Sequence, residues 1–284
     1  MAFITSRDMD IFRVLSSGPM TAEQIMSELK RVIAKNPEDD TDGKKKTKHD
    51  MSYAAFQIRI SKLKKDGYVA SKIYCDRHGK GVHALYALTP HSAAILIERE
   101  SWDARRIRYT LPNKWTVAHE MQVVAVVKAI KRESAKVIYD FSMEDENSLK
   151  SASKGAKKRM PYPDLFIRFT FQQKDKVRQK SLGIEIDNGT LDERLVAAKA
   201  HTLWVKNRWM SFIICTHTRR IEKLREHFSR YIESEKKQAK KNEVFKSLDD
   251  LYERVYFGTF ESFVRGGFVG TKWITIRDGE APFL

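Results

Sequence analysis

The chain reads as an α/β protein built from two domains, on three observations. Its first third carries helical apolar spacings around one pair of strand-like runs. Beyond residue 112, a helix, several strands, a helix and a strand follow in the order of an α/β sheet. Between the two lies a basic connector, residues 99–114, with Arg99, Arg105, Arg106 and Arg108. The expected domains are therefore residues 1–112, including most of the connector, and residues 113–284.

At 284 residues there is chain enough for two ordinary cores. A hydrophobic content of 42% with 32% charged residues suits a soluble globular protein. Lys and Arg number 53 against 37 Asp and Glu, a formal net charge of +16. That sign favours a polyanionic partner. No apolar run of about 18 residues occurs, so no membrane insertion is expected. The first residues lack the apolar region of a signal peptide, and the chain reads as cytoplasmic. Cys75 and Cys215 fall in different domains, which argues against a disulfide framework or a cysteine metal site.

Ser6 is the expected N-cap of a first helix carrying Met9, Ile11, Phe12 and Leu15, stopped by Gly18-Pro19. Thr21 opens a second, with Gln24 in the capping-box position and Ile25, Met26 and Leu29 at helical spacing. A polar loop, 36–49, holds Lys44, Lys45, Lys46 and Lys48. A third helix is expected over 51–65, with Phe56, Ile60 and Leu63 inward and Gln57, Arg59 and Lys62 among the outer residues. Strand-like runs 68–75 and 82–88 flank a basic, glycine-containing tip with Arg77 and Lys80. A helix from Pro90 to about Glu98 closes the set.

Three helices, a basic-tipped hairpin and a closing helix resemble the winged helix-turn-helix family. The resemblance implies DNA binding, with the third helix in the major groove. Gln57, Arg59 and Lys62 are then expected on bases or phosphates. Lys44, Lys45, Lys46, Lys48, Arg77 and Lys80 are expected on phosphates, which add affinity without reading sequence. A winged helix used only for protein contacts is the alternative.

In the second domain a helix is expected over 116–132, with Glu120, Val123, Val124, Val127 and Ile130 on one face. A carboxylate opening an apolar stripe needs a cation or a hydrogen-bond network. His119 and Gln122 lie three residues apart on the adjoining face. A strand is expected over 136–141, then a loop whose Lys157, Lys158 and Arg159 precede Tyr162-Pro163-Asp164. Strands 164–171 and 182–187 enclose a solvated turn, 172–180. A helix over 192–205 then leads to a strand over 210–215, parallel to the 182–187 strand. Alternation puts Gly183, Glu185 and Asp187 on one face. Carboxylates so placed, joined by Asp164, repel unless something cationic sits among them, and a hard divalent ion takes such oxygen ligands.

Pro163-Asp164 and Glu185 on consecutive strands resemble the PD-(D/E)xK restriction-endonuclease superfamily. The resemblance implies a restriction-endonuclease-like mixed-sheet fold. Position 187 departs from it, being Asp where lysine is usual. Lys199, in an otherwise apolar helix, is a candidate replacement. Together, His119-Glu-Met-Gln122, Pro163-Asp164 and Glu185-Ile-Asp187 resemble the MOBC relaxases, which are similar to replication-relaxation proteins. That resemblance implies a metal-dependent enzyme that nicks one strand at a transfer origin during plasmid mobilisation or conjugation, with Mg or Mn. It implies His119, Glu120, Gln122, Asp164, Glu185 and Asp187 as active-site residues, with Glu120, Asp164, Glu185 and Asp187 on the metal. The implied partners are double- and single-stranded DNA at the origin, accessory mobilisation proteins and a coupling protein.

The nucleophile stays open between water and a tyrosine, for which Tyr162 is the best placed candidate. A site-specific endonuclease that hydrolyses DNA, and a DNA-binding regulator without catalysis, are the alternative functions. Residues 219–241 read as a charged helix. From Val244 onward aromatic residues are frequent, and such residues more often complete a core than stack on bases.

Overall fold

A computed structural model describes residues 4–35, 51–75, 82–104, 107–108, 111, 117–134, 140–146, 149, 161–173, 176–189, 192–238, 242–277 and 280–281. The chain divides into two compact units, Met1–Val124 and Ala125–Leu284. The division falls later than the expected 112/113 boundary. Val124 belongs to the first unit's core, and a side chain built on Gly18 would meet it.

In the first unit, α1 (Ser6–Leu15) is capped by Thr5, one residue before the expected Ser6. Thr5 and Asp8 satisfy each other's backbone N–H groups in a capping box. α2 (Ala22–Lys35) begins as expected: Gln24 accepts from Thr21 N at 2.9 Å, and Thr21 Oγ1 from Gln24 N at 3.3 Å. α3 (Tyr53–Lys65) starts at its Ser52 cap and buries Phe56, Ile60 and Leu63. Gly67, at φ 80°, turns the chain away. β1 (Val69–Cys75) pairs antiparallel with β2 (Val82–Leu88). α4 (Pro90–Glu100) follows, with Thr89 as cap and proline in its first turn. Phe12, Ile25, Phe56 and Leu96 are fully buried in one core. Each contributes roughly 1.5–3 kcal/mol by leaving water. α5 (Val117–Ser134) contains the 124/125 division.

Among the described residues, the second unit holds a seven-stranded mixed sheet whose spatial order follows the sequence. β3 (Asp140–Asp145), β4 (Leu165–Gln173) and β5 (Lys176–Asp187) are antiparallel neighbours. The α6 crossover (Glu193–Asn207) brings β6 (Met210–Cys215) parallel to β5, as expected. α7 (Thr218–Gln238) and α8 (Asn242–Arg254) lead to β7 (Val255–Thr259), parallel to β6. α9 (Phe260–Gly266), β8 (Trp273–Thr275) and β9 (Glu280–Ala281) finish the sheet's edge.

Two spans differ from expectation. β3 runs on to Asp145, past the expected end at 141, and the expected strand residues 136–139 lie outside the described residues. β5 begins at Lys176, so most of the expected turn is ladder, with Gln173 opposite Lys176. Polar residues can extend a hairpin wherever its backbone groups stay paired.

One sheet face carries Ile213, Cys215 and Phe257 against Val196, Ala197 and Ala200 of α6 and Leu224 and Phe228 of α7. The other is aromatic. Phe268 packs edge-on to Phe169, Phe212 and Phe263, and Trp273 donates its indole N–H to Phe268 O at 2.8 Å. The C-terminal aromatics therefore complete a core. Glu133, near the end of α5, accepts from Phe268 N and Val269 N at 2.8 and 2.6 Å. Among the described residues, no helix is long and apolar enough to cross a membrane.

Candidate functional site

The site grows from the end of the β4–β5 hairpin. Gly183 has no side chain where one is impossible without movement. A Cβ there would stand 3.0 Å from Pro163 Cβ and 3.5 Å from Leu203 Cδ1. Pro163 can thus lie against β5, and the next residue, Asp164, accepts from Ile186 N at 2.8 Å. Glu146 N donates to Asp164 O at 3.3 Å, fixing the same corner from the end of β3.

Glu185 is buried on the strand face toward α6, and Lys199 Nζ lies 2.5 Å from its Oε1. Burial, and then the negative charge of Asp164, push the Glu185 carboxyl up to about 8 against the pull of Lys199. Glu146 adds to the rise. The lysine that sequence reasoning offered as a substitute for position 187 is therefore in contact with the motif glutamate. The arrangement gathers oxygen donors, a cation and mutual carboxylate repulsion at one sheet end.

Asp187 shares that face but has a different partner from the expected metal. Fully buried, it accepts from Arg220 Nε at 2.7 Å and from Gly189 N at 2.8 Å. Arg220 is itself buried and also pairs with Glu193 at the start of α6. Lys223 joins Glu193 at 2.7 Å, and Lys223 with Arg220 holds that carboxyl down at about 2. This network ties the end of β5 to the starts of α6 and α7. Sequence reasoning missed Arg220, because a lone arginine in a charged helix carries no mark of burial.

Glu120 also has a protein partner. Arg108 Nη2 meets Glu120 Oε1 at 2.6 Å, and Arg108 is buried. This arginine of the basic connector is turned inward. His119 and Gln122 are half-buried, and Gln122 Oε1 has no hydrogen-bond partner among the described residues. These three belong to the first unit, whereas Asp164, Glu185 and Lys199 belong to the second. Among the described residues, no three His, Cys, Asp or Glu side chains are gathered so as to hold a metal ion. Tyr162 is half-buried, two residues before Asp164.

On α3, Lys62 is exposed and Gln57 half-buried, but Arg59 serves the fold. It pairs through two nitrogens with fully buried Asp8, Nε at 2.6 Å. Burial alone would raise Asp8, yet Arg59 and Thr5 together hold its carboxyl below its usual value. A groove of about 610 Å³ beside α3 is lined by Thr5, Arg7, Met51, Ile58, Arg59 and Lys62. Lys44, Lys45, Lys46, Lys48, Arg77, Lys80, Lys157, Lys158 and Arg159 lie outside the described residues.

No protein-family model matches the chain, and no curated protein matches it. Among solved structures it is similar to Bacillus subtilis PadR in complex with operator DNA. That match has 13% identity and a TM-score of 0.26, and covers 56% of this chain and 82% of that one. At that level the likeness assigns neither fold nor function.

Proposed function

We propose that the protein is a divalent-metal-dependent enzyme that cuts one strand of DNA. The observation that carries this is the Asp164–Glu185–Lys199 arrangement. Two carboxylates meet at one end of a β-hairpin, and a lysine reaches the buried one from the crossover helix. The order α5, β3, β4, β5, α6, β6 supports a restriction-endonuclease-like core around them. The strongly basic composition supports a polyanionic substrate.

The donor set fits Mg or Mn in kind. It is all oxygen, and a hard cation offsets both the burial and the Asp164 repulsion that raise Glu185. Asp164 and Glu185 would hold the ion, which, when bound, neutralises charge on a phosphodiester and its leaving oxygen. Lys199 Nζ lies beside Glu185 and can donate to a phosphate oxygen. Asp187 acts indirectly, by locking the strand end through Arg220.

The finer reading is a relaxase that nicks at a transfer origin in plasmid mobilisation or conjugation. It draws on the resemblance of the His119-Glu120-Met-Gln122, Pro163-Asp164 and Glu185-Ile-Asp187 motifs to the MOBC relaxases. The winged-helix elements of the first unit would locate the origin, with accessory mobilisation proteins and a coupling protein as partners. The Lys199–Glu185 contact favours a second reading, a site-specific endonuclease that hydrolyses without rejoining, because it supplies the lysine that hydrolytic cores use.

Supercoiled DNA carrying the cognate origin, incubated with protein and Mn and resolved under denaturing conditions with and without protease, separates these readings. The relaxase reading expects one specific nick. A protease-sensitive retardation of the nicked strand identifies a covalent tyrosine intermediate, and free ends identify water as nucleophile. Cutting of both strands supports the hydrolytic endonuclease. DNA bound but never cut with Mg or Mn leaves a regulator.

A further inference from the structure

A second cationic feature of the sheet unit lies where α6 and α8 end and β6 and β7 begin. The guanidinium carbons of Arg208 and Arg254 each stand 5.3 Å from the centroid of the Trp204 ring. Trp209 stacks on Phe166 at 4.1 Å, and Arg168 stands 5.6 Å from the Phe166 centroid. All three arginines are exposed. None has a carboxylate partner among the described residues. The nearby Asp250 instead accepts from the Trp204 indole N–H, at 3.1 Å. Lys180 is near enough to Arg254 to feel it: burial, and then Arg254, lower its ammonium below its usual value.

Arg208 adds a conformational argument. It closes α6 in the left-handed region, at φ 57° and ψ 31°, where glycine or asparagine is the ordinary choice. An arginine there carries a backbone cost that a helix cap alone does not require. Favourable charge at a helix C-terminus accounts for some cations here, since α6 and α8 both end in the patch. It does not account for Arg168, which sits on β4.

We propose that Arg168, Arg208 and Arg254, braced on Phe166, Trp209 and Trp204, bind single-stranded nucleic acid. The guanidiniums meet phosphates, and the half-buried Trp204 and Trp209 rings beside them offer a surface for unpaired bases. A duplex hides its base faces, so the aromatic bracing favours a single strand. In naming DNA as the nucleic acid, the inference rests on the function proposed above.

The test is fluorescence anisotropy of the full chain with a labelled single-stranded oligonucleotide and the matching duplex. The variant is Arg168→Gln/Arg208→Gly/Arg254→Gln, with Arg208→Gly alone as control because glycine accepts the local φ. The control should melt at or above the wild-type temperature. The triple variant should bind the single strand about tenfold more weakly. Its log–log salt slope should fall by about 2, three phosphate contacts at roughly 0.7 each. Duplex affinity should change less. Wild-type single-strand affinity and slope in the triple variant overturn the proposal, as does an equal loss on both DNAs. If the wild type cuts DNA but the triple variant binds single strands normally, this surface fails alone. If single strands bind through these arginines but no metal ever supports cutting, the nuclease reading fails alone.

Discussion

Glu185 is a carboxylate buried beside Asp164, with Lys199 at 2.5 Å, and its carboxyl is raised to about 8. A raised carboxyl means that the folded state binds more protons than the unfolded one between the ordinary value of 4.5 and about 8. Metal-free protein should therefore lose stability as pH rises through that window, by up to about 1.4 kcal/mol per unit. Urea titrations across that range should show a flatter profile for Glu185→Gln, and an identical profile would remove the buried-acid account. Asp187 differs in kind. Asp187→Asn removes the fully buried one of Arg220's two carboxylate partners, leaving Glu193, and should cost about 2 kcal/mol, read as a lowered melting temperature in the absence of metal. A residue that served only as a metal ligand would leave that temperature unchanged. Arg59→Ala should likewise destabilise by about 3 kcal/mol through Asp8, and its effect on DNA preference is secondary to that. The acids at 164 and 185 were legible because a Pro-Asp step and a strand alternation are local patterns. Lys199 was legible as a charge in an apolar helix. Arg59, Arg108 and Arg220 were not, because their partners lie on other elements or turns and an arginine's surroundings leave no local spacing.

The β4–β5 hairpin aims the site. Its register places Leu165 opposite Ile184, so Asp164 meets the strand just beyond Glu185. Gly183→Ala inserts a methyl 3.0 Å from Pro163 and should displace the Pro163-Asp164 corner. Overpacking of this kind costs about 1–3 kcal/mol. Cleavage should fall by more than the stability loss explains, which comparing melting temperature with cleavage rate at saturating DNA will measure. Apolar spacing revealed most elements. The β6 strand, the α2 cap and the inner stripe of α3 were all legible. The first half of β5 was not, since its Lys176–Ser181 ladder is polar and is held by backbone pairing. α7 read as a solvated charged helix, yet Ile221, Leu224, Phe228 and Ile232 form a buried stripe within it.

At the scale of the molecule, the 124/125 division changes which fragment should fold. Residues 1–112 keep the buried Arg108 but lose Glu120 and the core residue Val124. A fragment of residues 1–134 should unfold cooperatively and bind duplex DNA with strong salt dependence, and one of residues 1–112 should be less stable by at least 2 kcal/mol. Circular dichroism melts of the two compare them directly. The sequence places its boundary in the connector because a basic, charged stretch has the composition of a linker whether or not its arginines turn inward. The central claim is that Asp164 and Glu185, with Lys199, form a metal-dependent DNA-cutting site. It is tested by single-turnover nicking of supercoiled origin DNA with Mn, by wild type, Asp164→Ala and Glu185→Ala. The account predicts nicking by the wild type that stops on chelation, and a loss of at least a thousandfold in each variant with origin binding intact. Nicking that survives in both variants, or a wild type that binds the origin and never nicks it, would contradict it.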